Sequence, residues 1–445
     1  MSIKNPAIAL AACLILHSPS SLAKVADAEA AGLGQELTPV GAEAAGNKAG
    51  TIPAWSGTPL TDTDMLKKQE PLFEITSDNY DTYKANLSPG QIELLKKYPE
   101  SYKIRVFPTH RTATYPKYVY DLAKENATKA ELVEGGNGLK GFQETVPFPI
   151  PKSGLEVIWN HITRYRGGSV ERTMIQAPVQ ANGAHTLIKI RDRLVWPQHL
   201  KDGFDPKKDS NMLFYYTQKV LEPSRMTGNI LLVHETIDQV SEPRSAWVYN
   251  AGQRRVRRAP QVAYDSPGFA SEGSRTSDNF DMYNGAPDRY EWKLLGKQEL
   301  YIPYNAYQLA SKELKYEQIL TPKHLNPDYT RHELHRVWVV EATLKDDERH
   351  VYAKRRFYID EDTWQAAVID HYDGRGQLWR ISEAHKLQYT DVNVPWFAAE
   401  VLHDLISGRY LTIGLTNEEE DGFDFKLKAK HSDFTPAALR RSGKR

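Results

Sequence analysis

The tetrapeptide His332-Glu333-Leu334-His335 is the segment whose residue types come closest to a metal-dependent catalytic motif. The zincin motif places two residues between the glutamate and the second histidine, so that both histidines lie on one face of a helix. Here one residue separates Glu333 from His335, and residues 336–340 are typical of a strand, in which His332 and His335 point to opposite faces. The spacing therefore predicts no metal site, and no cofactor is expected.

Other catalytic signatures are missing from the sequence. There is no Gly-x-Ser-x-Gly, which would expose a nucleophile on a strand-to-helix turn. The acidic stretches Asp346–Glu348 and Asp360–Asp362 lack the spacing of a calcium loop, and there is no glycine loop for phosphate. No catalytic residue is predicted, and a hydrolase with an unrecognised site is the weakest of the functional hypotheses.

The cluster Arg254-Arg255-Val256-Arg257-Arg258 is the sharpest concentration of charge. In a strand, Arg254 and Arg258 would face one way and Arg255 and Arg257 the other, so neither face suits a core. One interpretation is an edge strand protected by charge. The other is a docking patch for an acidic partner or a lipid headgroup.

Apolar side chains recur at every second position in three strand-like segments: Met212 to Tyr216, Trp338 to Leu344, and Phe357 to Ile359. Ordinary core packing would explain this alternation. A curved sheet that covers such a face only in part would instead form a groove for an apolar ligand. In these segments the candidate groove residues are Phe214, Tyr216, Trp338, Val340, Leu344, Phe357 and Ile359.

Turn signals between alternating segments predict the hairpins that carry these residues. The turns lie at Pro223–Gly228, Asn250–Gly252, Lys345–Arg349 and Asp373–Gly376. Helical patterns are concentrated in the N-terminal third, and Glu156–Tyr165 is expected to start a strand. Consecutive hairpins with separate helices predict an α+β fold that is mainly antiparallel β.

The first 23 residues are predicted to be a signal peptide, with Lys4 before the apolar run Ala7–Leu16 and cleavage before Lys24. The mature chain would then be a soluble protein of the periplasm. Leu10-Ala11-Ala12-Cys13 also resembles a lipoprotein cleavage box, so a lipid anchor on Cys13 is the alternative.

Pro147–Pro151, with three alternate prolines, is the best candidate for a domain boundary. The predicted organisation is a signal peptide over residues 1–23, a helical and irregular N-terminal extension over 24–150, a sheet domain over 151–420 and a polar tail over 421–445. The whole chain has 57 basic and 57 acidic residues. Nucleic acid is not an expected partner, because its binding usually needs a strong basic excess.

Six segments, which together cover nearly the whole mature chain, carry a family resemblance: Leu37–Glu43, Asn47–Gly57, Phe107–Ala113, Pro147–Gly167, Arg244–Tyr249 and Phe357–Trp364. They resemble the Gram-negative periplasmic family called domain of unknown function 1329, which is often described as outer-membrane lipoprotein-sorting-like.

This resemblance implies a fold like that of the lipoprotein carriers LolA and LolB. Such a fold is a strongly curved, open half-barrel sheet with helices across its mouth, which binds acyl chains on the concave side. Trp247-Val248-Tyr249, followed by a turn and the arginine cluster, resembles the early aromatic-then-basic hairpin of these carriers, and Trp247 and Tyr249 are therefore added to the candidate groove residues. Family members are often encoded beside resistance-nodulation-division type exporters and an outer-membrane β-barrel, which implies possible partners in moving hydrophobic molecules.

The main hypothesis is a non-enzymatic periplasmic carrier or adaptor for a lipid or other hydrophobic compound. In it, Arg254, Arg255, Arg257 and Arg258 contact a headgroup or a partner. The alternative is a scaffold or sensor subunit of an envelope complex that binds no lipid.

Overall fold

A computed structural model describes residues 25–259 and 264–443 of the chain. The predicted signal peptide and Cys13 lie outside these residues. Within the described ranges, no helix is both long and apolar enough to cross a bilayer.

The described chain contains short helices and a long series of strands. The helices are α1 Asp27–Ala30, α2 Asp64–Lys68, α3 Tyr80–Tyr83, α4 Pro89–Lys97, α5 Lys117–Lys129, α6 Gly154–Thr163, α7 Pro206–Asp209, α8 Tyr316–Ile319 and α9 Pro436–Ser442. The strands are β1 Phe73–Ile75, β2 Ile104–Val106, β3 Glu131–Leu132, β4 Leu139–Lys140, β5 Ser169–Val179, β6 Ile188–Val195, β7 Met212–Glu222, β8 Ile230–Thr236, β9 Ser245–Asn250, β10 Arg255–Arg258, β11 Tyr290–Pro303, β12 His332–Leu344, β13 Lys354–Asp360, β14 Ala366–Tyr372, β15 Leu378–Tyr389, β16 Val394–Asp404, β17 Tyr410–Leu415 and β18 Phe423–Asp424.

One large sheet is built from two antiparallel meanders. Strands β5 to β10 pair in chain order, strands β11 to β17 do the same, and β17 joins the two by pairing with β5. The four hairpins predicted from the turn signals are confirmed as β7–β8, β9–β10, β12–β13 and β14–β15.

The sheet curves around helix α6. Phe214 of β7, Phe357 of β13 and Trp396 of β16 share one hydrophobic core with Trp159 of this helix. Strands so far apart in the sheet can meet in one core only if the sheet bends around it. We call this side the inner face. The sheet is not closed, since β10 pairs with β9 alone among the described strands. The predicted open, mainly antiparallel fold is confirmed.

Helix α6 corrects one expectation, because Glu156–Tyr165 was expected to start a strand. The Ser153 side chain accepts a hydrogen bond of 3.2 Å from the Glu156 amide, which caps a helix. All residues of α6 except Leu155 are buried. Because this helix is buried on every side, its apolar residues do not follow the one-sided periodicity that would distinguish a helix from a buried strand.

The outer face is covered by segments from both ends of the described chain. Leu94 and Leu95 of α4 pack against Val339 and other residues of the β11–β15 region, and β1 and β2 extend the sheet there. Leu439 of α9 packs with Tyr249 on the outside of β7–β9. The inner face is therefore where an internal site can form.

Candidate functional site

A cavity of about 270 Å³ lies between the inner face of β7–β9 and residues 264–289, which we call the inner loop. This volume is close to the lower end of the range for small-molecule sites, about 300–1,000 Å³. The lining is mostly apolar. It includes Phe214, Tyr216, Leu231, Val233, Val248 and Phe280.

Alternation along the β7–β8 hairpin creates this apolar wall. Tyr216 stands opposite Val233 in the register, and Gln218 stands opposite Leu231. Side chains at every second position of a strand share a face, so these pairs all point into the cavity. Leu231 and Val248 stay partly exposed, whereas Phe214 is buried.

One end of the cavity is polar, and its two charged residues, Arg244 and Glu235, form an ion pair with each other. The Arg244 guanidinium contacts Glu235 at 2.7 Å, and the Asn284 amide donates to the same carboxylate at 3.0 Å. Burial raises the pKa of Glu235 despite these contacts. The arrangement is a satisfied buried pair that fixes the inner loop to β8.

Ion pairs to the segment directly after α6 hold the centre of the inner loop. Asp281 contacts Arg164 at 2.6 Å and Arg166 at 2.5 Å, and its carboxylate accepts a hydrogen bond of 3.0 Å from the Trp396 indole. These contacts place the pKa of Asp281 far below its usual value even though burial acts to raise it. Asp281 and Met282 have φ values of 50° and 66°, a conformation that costs energy and persists only where surrounding contacts enforce it.

A second acidic residue, Asp278, fastens the loop to β13. Its carboxylate contacts Arg355 at 2.5 Å and His350 at 3.1 Å, and these two contacts hold the pKa of Asp278 well below its usual value against the effect of burial. The inner loop thus forms a wall of the cavity that is held in place by three of its residues: Asp278, Asp281 and Asn284.

Behind the cavity lies a smaller recess of about 20 Å³ whose lining includes Arg172, Arg275, Asp281 and Glu400. Arg172 binds Asp192 through two hydrogen bonds of 2.8 and 2.6 Å. Arg275 lines both the cavity and the recess.

The structure places the nine predicted groove residues in three different environments. Phe214 and Tyr216 line the cavity. Trp247 and Tyr249 lie on the outer face with Leu439, because the inward positions of β9 are Ala246 and Val248. The others belong to the core around α6 and the inner loop: Val340, Phe357 and Ile359 are fully buried, and Trp338 and Leu344 partly buried.

The arginine cluster lies on the edge strand β10. Arg255, Arg257 and Arg258 are exposed, and Arg254 is in the preceding turn. Arg258 donates to the Ser245 hydroxyl at 3.2 Å. Both sequence interpretations, a protected edge and a docking patch, are compatible with this position.

His335, Asp360 and Asp362 come close enough together to hold a metal ion. However, Arg111 binds Asp362 through hydrogen bonds of 2.9 and 2.6 Å, and the Thr363 hydroxyl donates to Asp360 at 2.5 Å. These carboxylates already have protein partners, so the group is explained as a buried ion-pair cluster.

Sequence reasoning missed much of the cavity lining, including Leu231, Val233, Arg244, Arg275 and Phe280. The alternation of Leu231, Val233 and Glu235 opposite Phe214 and Tyr216 was a signal that could have identified one wall. The inner loop gave no such signal, because it has no strand periodicity.

Fold and cavity together define an open antiparallel-sheet protein with a largely apolar internal cavity. The chain belongs to the family described as protein of unknown function (DUF1329), whose family model matches residues 74–440. The family membership predicted from the sequence is therefore confirmed. The chain is 59% identical over 442 residues to an uncharacterized protein of Pseudomonas aeruginosa, and the match covers 97% of each chain.

Solved structures similar to this chain have low sequence identity. A domain named for outer membrane lipoprotein sorting, from Vibrio parahaemolyticus, is 15% identical, with 65% of this chain and 99% of that chain covered and a TM-score of 0.43. A DUF1329 family protein from Desulfovibrio piger is 13% identical, with 61% and 91% covered and a TM-score of 0.42. A LolA superfamily protein from Nitrosomonas europaea is 12% identical, with 64% and 98% covered and a TM-score of 0.36.

Proposed function

We propose that this protein is a periplasmic carrier or adaptor that binds a lipid or another hydrophobic compound in the cavity between β7–β9 and the inner loop. The observation that supports it is the cavity itself: about 270 Å³ of space with a mainly apolar lining, on the inner face of the sheet. Apolar lining with few polar groups is typical of small-molecule sites. The proposed role is binding without catalysis.

The test is a substitution that places a larger side chain in the cavity. Leu231 lines the cavity and is partly exposed, so Leu231→Trp adds bulk to the cavity without removing a core side chain. We expect wild-type protein to bind the neutral apolar dye N-phenyl-1-naphthylamine and the variant to bind it at least about tenfold more weakly, since roughly 1.4 kcal/mol of lost contact has this effect. Dye fluorescence measures the affinity.

Leu295→Trp is the matched control, because Leu295 is 43% exposed at a bulge of β11 away from the cavity. It should bind the dye like the wild type. If wild-type protein does not bind the dye, or Leu231→Trp binds it equally well, the carrier proposal is wrong.

Location and partners are a further part of the proposal. Native mass spectrometry of protein purified from its own periplasm should show a chain beginning at Lys24 and a lipid-like adduct that is released on denaturation. A lipidated Cys13 would support the anchored alternative, and a clean ligand-free mass would favour the scaffold or sensor hypothesis. An exporter of the resistance-nodulation-division type and an outer-membrane barrel are the proposed partners.

A further inference from the structure

Arg275 differs from the other arginines of the inner face. Arg164, Arg166, Arg172 and Arg244 each hold a carboxylate oxygen at 2.5–2.7 Å. Arg275 is also buried, with 6% of its surface exposed, but it has no ion pair within the described part of the chain. Its Nε is buried without a hydrogen-bond partner.

The groups that face Arg275 do not neutralise it. The two that act on its charge in the described structure are Tyr216 and Glu400. Burial raises the pKa of Tyr216 well above its usual value, so this phenol is neutral. Burial also raises the pKa of Glu400 to about 8, so most of this carboxyl group is protonated at neutral pH.

An arginine stays charged in proteins, and an unpaired buried charge is costly. Burial lowers the pKa of Arg275, which reflects this cost. An anion from outside the chain would offset this cost, and the cavity through which such an anion could enter includes Arg275 in its lining.

The inner loop is shaped to place Arg275 there. The Gly268 amide donates to the Arg275 carbonyl at 3.0 Å, which closes a tight turn around residues 269–274. A Cβ atom at position 268 would lie 2.8 Å from Cγ and 3.0 Å from Nε of Arg275. Glycine at this position therefore leaves room for the arginine side chain to pack back over the loop.

We propose that the cavity binds an amphipathic anion, whose carboxylate or phosphate headgroup pairs with Arg275 while its apolar body contacts Phe214, Leu231 and Phe280. This inference rests on the proposed function and names the class of hydrophobic compound. The planar guanidinium suits both headgroups, because it can donate two parallel hydrogen bonds to either.

The experiment compares three probes with the same apolar chain: dodecanoate, dodecyl phosphate and the neutral methyl dodecanoate. Their affinities are measured by displacement of N-phenyl-1-naphthylamine from the full-length mature protein. Wild-type protein should bind at least one anion about tenfold or more tightly than the ester, as expected for a hydrogen bond to a charged group. Arg275→Gln should lose this preference and still bind the ester, whereas Arg275→Lys should keep part of it.

The possible outcomes test the headgroup inference and the carrier proposal separately. A preference for either anion that disappears in Arg275→Gln supports the inference, and the tighter anion identifies the headgroup. Equal binding of all three probes by both proteins overturns the inference and leaves the carrier function intact. If no probe binds to wild-type protein, both proposals are wrong.

Thermal unfolding of the ligand-free proteins distinguishes headgroup binding from a structural role. Arg275→Gln should unfold at the same temperature as the wild type or higher, because it removes an uncompensated buried charge. Addition of the preferred anion should raise the unfolding temperature of wild-type protein only. A clear loss of ligand-free stability in the variant would contradict the inference.

Discussion

Glu400 is a buried acid whose proton should control part of the stability of the protein. It lies in the recess behind the cavity, and its Oε1 has no hydrogen-bond partner. Burial, and then the neighbouring Asp281, raise its pKa from 4.5 to about 8. Between these two pH values the folded chain retains a proton that the unfolded chain has released. This contribution to the free energy of unfolding therefore falls as the pH rises.

Glu400→Gln should remove this pH dependence. We expect the free energy of unfolding of the wild type to decline relative to the variant between about pH 5 and pH 8, by up to about 1.4 kcal/mol per pH unit. Urea unfolding at several pH values measures the difference. Glu291→Gln, at an exposed position of β11, is the control and should follow the wild type. Parallel profiles for Glu400→Gln and wild type would show that the group is ionised in the folded protein.

Helix α6 depends on a close approach to the sheet at its first residue. A Cβ atom on Gly154 would meet the Lys293 carbonyl carbon at 2.9 Å and the Leu294 amide nitrogen at 3.0 Å. Both are backbone atoms of β11 and cannot rotate away. The position of the helix inside the sheet, and with it the positions of Arg164 and Arg166 against Asp281, therefore depends on glycine here.

We predict that Gly154→Ala lowers the free energy of unfolding by about 1–3 kcal/mol, as overpacking of a core does. Alanine is a better helix former than glycine, so the substitution would stabilise the protein if the added Cβ atom did not clash with β11. Gly374→Ala is the matched control, since a Cβ atom there meets nothing within 4 Å, and its effect should stay within about 0.5 kcal/mol. Urea unfolding compares the three proteins, and a Gly154→Ala protein as stable as the wild type would refute the prediction.

At the scale of the whole molecule, the cavity lies on the inner face of the sheet and the exposed arginines lie on its edge strand, which we call the charged rim. Arg255, Arg257 and Arg258 stand exposed on β10, at one end of the described sheet. Because the cavity lies on the inner face of the neighbouring β7–β9, a lipid surface bound at this rim would be close to the cavity. We therefore propose docking of a lipid surface at this cluster as part of the carrier function.

Replacing Arg255, Arg257 and Arg258 together with glutamate should weaken binding to phosphatidylglycerol vesicles at least about tenfold, since each basic residue near an anionic surface contributes about 1 kcal/mol. Co-sedimentation with the vesicles measures it. The control reverses three exposed lysines elsewhere, Lys84, Lys117 and Lys129, whose side chains are 64%, 86% and 56% exposed. Equal loss in both triple variants would mean that only net charge matters.

The fold was predictable where local signals determine it. Turn residues between alternating segments identified the hairpins. α6 was not predictable, because a helix buried on every side has no one-sided apolar periodicity to distinguish it from a buried strand.

The candidate site was predictable only in part. Phe214 and Tyr216 line the cavity as expected, whereas Trp247, which was included because its hairpin resembles one of the carriers, lies on the outer face. A sequence does not show which of two alternating faces turns inward. The role of the inner loop could not be predicted for another reason. Asp281 finds Arg164 and Arg166 more than 100 residues away in the chain, and a single sequence contains no record of such pairing.

Dissolved salt should affect Arg275, which is only 6% exposed, much less than it affects the exposed arginines of β10. At physiological ionic strength the Debye length is about 8 Å, so mobile ions weaken the attraction of exposed Arg255, Arg257 and Arg258 for an anionic surface. The same ions screen a buried group far less. A rise in salt concentration should therefore detach the protein from a membrane while an anion bound at Arg275 stays in place, so that loading and docking respond to different conditions.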